Sequence, residues 1–239
     1  MLHMEGSGAE GPESAAAGAP TAANPQPATD SCPDTVSVRR RRALAAGHRG
    51  AADEAGALVD DPSPLVRAAA LGALARAGAL GPELLARLLA DPDAGVRRRA
   101  CTEAGRLLAR GPSPRDRDEV VSLVVDALAD GDPAVVEAAA WAAGEAGRHG
   151  AGALERLIEL SAGGTPLCRE AAVAALGAIG DPAGLDAVLA ALEGRPAVRR
   201  RAVVALAAFD DPRADAGLRR AAADRDWQVR QAAESLLSP

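Results

Sequence analysis

The sequence predicts an all-α fold: a right-handed α-solenoid (superhelix) of about six helical pairs, following a disordered N-terminal tail. One observation is recurrence. A Val or Cys followed by a charged residue returns at Val66-Arg67, Val96-Arg97, Val136-Glu137, Cys168-Arg169, Val198-Arg199 and Val229-Arg230, with steps of 30, 40, 32, 30 and 31 residues. A second is that the anchor starts an apolar stripe at helical spacing, as in Val66, Ala70 and Leu74 or Cys168, Ala172 and Leu176. The third is composition: 48% of the 239 residues are hydrophobic, yet there is one Phe, two Trp and no Tyr. An interior of Ala, Leu and Val must be built by helices packed at close range.

Residues 1–35 are rich in Ala, Gly and Pro, with Pro12, Pro20, Pro25, Pro27 and Pro33 interrupting any helix, and are expected to be a disordered tail before a solenoid at 36–239. Val36 to Gly47 is expected to be a helix with Val38, Leu44 and Ala45 on its apolar side, and the run Arg39 to Arg42 its solvated basic flank. The first helix of each pair supplies the opposite wall through Leu84, Leu85 and Leu88; Val120, Val121, Val124 and Leu128; Leu154, Leu157 and Ile158; and Leu185, Val188, Leu189 and Leu192. Helices this short are marginal alone, so stacking must hold them. The 40-residue step is assigned to a loop insertion at Arg110–Asp118, which contains two prolines. Gly180-Asp181-Pro182 is a turn between two short helices.

The strings Asp61-Pro62-Ser63-Pro64-Leu65-Val66-Arg67, Asp91-Pro92 through Val96-Arg97, and Ala178-Ile179-Gly180-Asp181-Pro182 resemble HEAT repeat proteins, of the bacterial type related to phycobilisome-lyase HEAT-like repeats. The resemblance runs from about residue 50 onward. It implies a ladder in which an Asp of the turn and an Arg six residues later lock successive units. The matching pairs are Asp61 and Arg67, Asp91 and Arg97, and Asp224 and Arg230, with Glu193 and Arg199 as a variant. Gly131 and Glu137, and Gly163 before Arg169, break the pattern in units three and four, so a flexible or bent centre is expected there. The resemblance also implies that second helices line a concave, partner-gripping surface. Its exposed positions carry Arg98 and Arg99, Glu170, and Arg200 and Arg201, a groove with two basic stations for an acidic protein face. Trp141 aligns with Leu71, Val173 and Val203; it is read as core, with a partner anchor as the alternative. Trp227 is expected to cover the open end of the last unit.

The function predicted is a non-catalytic protein-binding scaffold without cofactor or metal; a lyase-type accessory enzyme and a nucleic-acid binder are the competing classes. All 27 basic residues are Arg, which excludes lysine chemistry. The histidines, His3, His48 and His149, are never followed by Glu, which argues against a paired His-Glu diiron site. The net charge is −6, of which the five acids before Val36 supply −5, so the helical part is nearly neutral and unsuited to general nucleic-acid binding. Gly6-Ser7-Gly8-Ala9-Glu10-Gly11 matches a bare GxGxxG with no strand before it and no helix after it. Cys32, Cys101 and Cys168 have no CxxC spacing, and there is no apolar leader or membrane-length run, so a soluble cytoplasmic protein with reduced thiols is expected.

Overall fold

The computed structural model describes residues 35–238; the tail and the GxGxxG string lie outside the described residues. Among the described residues there are 13 α-helices and no strand. Val36–Arg49 (α1) stands first. It is followed by the pairs Ala52–Gly56 (α2) and Pro64–Arg76 (α3), Pro82–Leu89 (α4) and Ala94–Ala109 (α5), and Pro114–Ala127 (α6) and Pro133–Glu145 (α7). Leu154–Gly163 (α8) and Pro166–Ile179 (α9), Leu185–Ala191 (α10) and Pro196–Leu206 (α11), and Pro212–Ala221 (α12) and Trp227–Leu237 (α13) complete the stack. Short 3-10 turns at Gly147–Ala153 and Pro182–Gly184 lead into α8 and α10. None of these helices is long and apolar enough to cross a membrane.

Local chemistry marks each boundary. Asp93, Asp132 and Asp226 cap α5, α7 and α13 by accepting from N–H groups of the first turn, and Thr35 and Thr165 do the same for α1 and α9. Proline occupies the first helical position of α3, α4, α6, α7, α9, α11 and α12, where no hydrogen bond is lost. Gly180 ends α9 in the left-handed conformation, φ 66°, which a side chain would strain.

Counted from the cap, every second helix buries the residue at cap plus three and cap plus seven: Val66 and Ala70, Val96 and Ala100, Val135 and Ala139, Cys168 and Ala172, Val198 and Ala202, Val229 and Ala233. The anchor of unit three is therefore Val135, one residue before the expected Val136. The expected loop at Arg110–Asp118 is also revised. Pro114 starts α6, Ser113 caps it, and only 110–113 lie outside helix, so the long step is taken up by longer helices.

The helices form two layers. Each second helix packs on the second helices before and after it, α1 filling that role at the start, and each first helix covers its own partner. A glycine twelve residues after the cap sets the spacing of the second layer. An added Cβ at Gly47 would lie 2.7 Å from the Ala73 Cα, at Gly105 3.0 Å from Ala142, at Gly144 3.4 Å from Ala175, and at Gly177 2.6 Å from Ala205. At two junctions the pair is different, Ala207 and Leu236 standing there between α11 and α13. Ala75 replaces the glycine and Glu103 the alanine between α3 and α5, and Glu103, 3% exposed, is held there by Arg99 and Arg106 at 2.7 and 2.8 Å.

Candidate functional site: a guanidinium ladder and an exposed helical face

Two features could carry function: the edge where the turns meet, and the open face of the second helices. At the edge, Arg67 Nη2 and Nε donate to Asp91 of the next unit at 2.7 and 2.8 Å, while its Nη1 donates to the Asp61 carbonyl at 2.9 Å. Arg97 repeats this with Asp130 at 2.7 and 3.0 Å and with the Asp91 carbonyl at 2.9 Å. Arg199 donates twice to Asp224 at 2.8 Å. The carboxylate partner thus belongs to the following unit, whereas the acid six residues earlier offers only its carbonyl. The carboxylates also brace their own turns, accepting from the N–H two residues on: Ser63, Asp93, Asp132 and Asp226. These are mostly buried, two-pronged, charge-assisted contacts. The fork of Arg39 holds the Asp61 carboxyl below its ordinary range, Arg97 does the same to Asp130, and Arg199 to Asp224. Burial is the largest influence on Asp91 and works against its ionisation; the hydrogen bonds from Arg67 and the Asp93 N–H, with the charges of Arg67 and Arg97, together outweigh it and hold the carboxyl below its ordinary range.

Two members of the ladder escape the sequence pattern. Arg39, read there as solvated flank, donates to Asp61 at 2.6 Å and ties α1 into the stack. Asp130 takes the place assigned to Gly131. Both follow one rule, acid two residues before the cap and arginine four after it, which the anchor alignment of unit three obscured. In that frame the ladder position of unit three is Val136, so no rung joins units three and four. Glu193 is not a rung either: it is exposed and pairs with Arg220 at 3.2 Å. In units four and five the carbonyl taken by the arginine is one residue nearer the helix, Gly164 for Arg169 and Gly194 for Arg199; the place of the acid, two before the cap, is held by Gly163 in unit four and by the outward Glu193 in unit five. Arg230 donates to the Asp224 carbonyl at 2.7 Å, with no unit beyond it among the described residues.

The open face carries two depressions. The first, about 310 Å³, runs across α1, α3 and α5 beneath the exposed Leu44 and Leu65, with Arg40, Arg98 and Arg99 against Asp93. Arg98 makes no ion pair among the described residues, while Arg99 lies over Gly72 and bonds Glu103. The second, also about 310 Å³, crosses α7, α9 and α11 and is lined by Trp141 and Leu167, with Glu137, Glu145 and Glu170 against Arg201. Trp141 is 41% exposed and Leu167 45%. Trp141 is therefore not a core residue. The one-residue correction moves it from the buried row of Leu71, Val173 and Val203 to the outward row of Gly72, Thr102 and Val204, and its ring lies over Gly105. The same correction brings Glu137 onto the face beside Glu170. Arg200 donates to Gln228 at 2.8 Å, so the second expected basic station is reduced to Arg201 at the rim of an acidic depression. Trp227 opens α13 at 61% exposure and is not packed over the stack.

Compared with known families, the sequence matches HEAT repeats twice, over residues 81–167 and 154–238. The chain belongs to the HEAT-repeat family. The lyase-related subtype has no support from this match. A search of curated proteins finds no match. Among solved structures, a designed armadillo repeat protein in complex with the peptide (KR)4 superposes with a TM-score of 0.58 at 18% identity, covering 78% of this chain and 97% of that one. The Escherichia coli protein YibA superposes with a TM-score of 0.57 at 20% identity, covering 77% and 69%. Likeness at this level establishes the helical-repeat fold alone.

Proposed function

We propose that this HEAT-repeat chain is a non-catalytic protein-binding scaffold that takes an extended segment of another protein along the open face of its second helices. The observation that carries this is the pair of opposite depressions on one face, each with exposed apolar side chains at its centre. Apolar surface offered to water beside fixed charges is what a recognition surface requires. Counting charges, the first depression sums to +2 and the second to −2. The proposed partner places acidic side chains over Arg40 and Arg98, and an apolar or basic side chain over Trp141, where the ring adds cation–π attraction. A partner with only an acidic face, as two basic stations would demand, fits the second depression poorly. The designed neighbour, solved in complex with the peptide (KR)4, supports peptide binding by a fold of this kind.

Support for the non-catalytic part comes from the described cysteines, which are free and buried; burial pushes the Cys101 thiol up to about 12, far from nucleophilic use. Free thiols suit a reducing compartment, and we place the protein in the cytoplasm.

The test is selection from a displayed random-peptide library, with emission of Trp141 read in a Trp227→Phe background. Bound peptides should shift Trp141 emission. Charge reversal at Arg40 and Arg98 should weaken binding at least tenfold, and reversal at Glu137 and Glu170 should weaken it when a basic residue sits over the ring. Saturable binders that leave Trp141 emission unchanged, or no saturable binder at all, would refute the proposal.

A further inference from the structure

From the missing rung between units four and five, we infer a binding site for an external carboxylate. At four junctions an arginine four residues after the cap grips a carboxylate of the next unit: Arg39 with Asp61, Arg67 with Asp91, Arg97 with Asp130, and Arg199 with Asp224. Arg169 occupies the same place on α9 but meets no such acid: the residue two before the next cap, Glu193, is turned outward and pairs with Arg220. Its Nε donates to the Gly164 carbonyl at 2.8 Å, and its two terminal nitrogens make no hydrogen bond among the described residues. Nε, which with Nη2 holds the carboxylate at the four rungs, is thus turned to the chain's own carbonyl, and the outer edge formed by the two terminal nitrogens of this exposed guanidinium is left open.

The space beside it is a cleft of about 470 Å³ between the two units. Arg169 and Arg195 face it, with Ile158, Ala190 and Val198 forming an apolar wall. Arg195 sits at the cap of α11 without a side-chain acceptor, so that the partial positive charge of the first turn adds to the two guanidinium groups. The one acid in the lining, Glu193, is engaged by Arg220. The missing partner is a planar two-oxygen anion attached to an apolar body, since a guanidinium fork matches a carboxylate and the wall excludes a strongly hydrated group. The ligand class is a carboxylate on a small apolar or aromatic group, held by the two terminal nitrogens of Arg169. This site lies on the turn edge and is independent of the peptide face.

Isothermal titration with sodium benzoate, at ionic strength held constant with chloride, tests it on the full chain, with inorganic phosphate as the second probe. Benzoate should bind once per chain in the low-millimolar range. Arg169→Gln should weaken it at least tenfold and Arg169→Lys, which keeps the charge and loses the fork, several-fold. Arg230→Gln, at a ladder arginine that also meets no carboxylate among the described residues and does not line this cleft, should change nothing. Circular dichroism and the thermal midpoint of each variant separate loss of the site from loss of the fold. Absence of saturable benzoate binding, binding unchanged in folded Arg169→Gln, or phosphate binding more tightly than benzoate would overturn the assignment. The Trp141 peptide assay reports on the scaffold proposal separately.

Discussion

Replacing Gly177 by alanine tests the physical basis of the stack, because two opposing effects of known size meet at one atom. In an exposed helix interior, glycine to alanine stabilises by about 0.5–1 kcal/mol through backbone entropy. At Gly177 the new methyl would lie 2.6 Å from both the Cα and the Cβ of Ala205, about 1.2 Å short of the ~3.8 Å that carbon atoms prefer. Backbone cannot rotate away, so α9 and α11 must part or tilt, and overpacking of this kind costs about 2–3 kcal/mol. The net expectation is a loss of about 1–2 kcal/mol, a fall of about 0.5–1 M in the urea midpoint for a slope near 2 kcal/mol/M. Gly144 is the internal control. Its added methyl would sit 3.3 Å from the Ala178 Cβ and 3.4 Å from the Ala175 Cα, a deficit a few tenths of an ångström can absorb. Gly144→Ala should therefore stay within about 0.5 kcal/mol of the parent, since its helix-propensity gain offsets the crowding. Equal midpoints for the two variants, or a rise for Gly177→Ala, would refute close glycine-alanine contact as the element that sets helix spacing.

The other predictions concern the ladder and the thiols. Because Asp61, Asp91, Asp130 and Asp224 have folded-state values below their unfolded ones, their contribution is complete above about pH 5 and is lost as pH falls through the folded values. The thermal midpoint should be flat above that pH and decline steeply below about pH 4, and Asp130→Asn should decline less steeply. Hydrogen exchange should be at least about tenfold faster at the Thr165 and Arg195 turn amides than at Ser63 and Asp93, whose N–H groups bond a ladder carboxylate at 2.8 and 2.9 Å; equal protection would remove the idea of a looser centre. Cys101 should resist alkylation at pH 8 until denaturant is added, since burial holds the thiol protonated; labelling at the rate of a free thiol would contradict its place in the core.

Much of the stack was legible in the chain because each unit repeats its own chemistry. Pro64, Pro133, Pro166 and Pro196 mark helix starts by what a proline cannot do, and rows such as Val198 and Ala202 mark the buried side by helical spacing. Trp141, Glu137 and Asp130 were misplaced together. In unit three, Val135 and Val136 both suit an apolar anchor, so spacing alone could not choose between them, and a shift of one residue turns a helix by about 100°. The cap, Asp132 accepting from Ala134 N–H at 2.8 Å, makes the choice.

The sequence by itself determined that this protein is a stack of short helices with a small-residue interior, because composition and period leave those helices no other way to bury their apolar stripes. Only the tertiary structure decided which carboxylate each arginine meets, that Trp141 faces outward, and that a rung is missing beside an open cleft. Those outcomes depend on a turn being one residue longer or shorter, and on atoms from different units meeting within hydrogen-bond distance, and neither is written in the local pattern of residues.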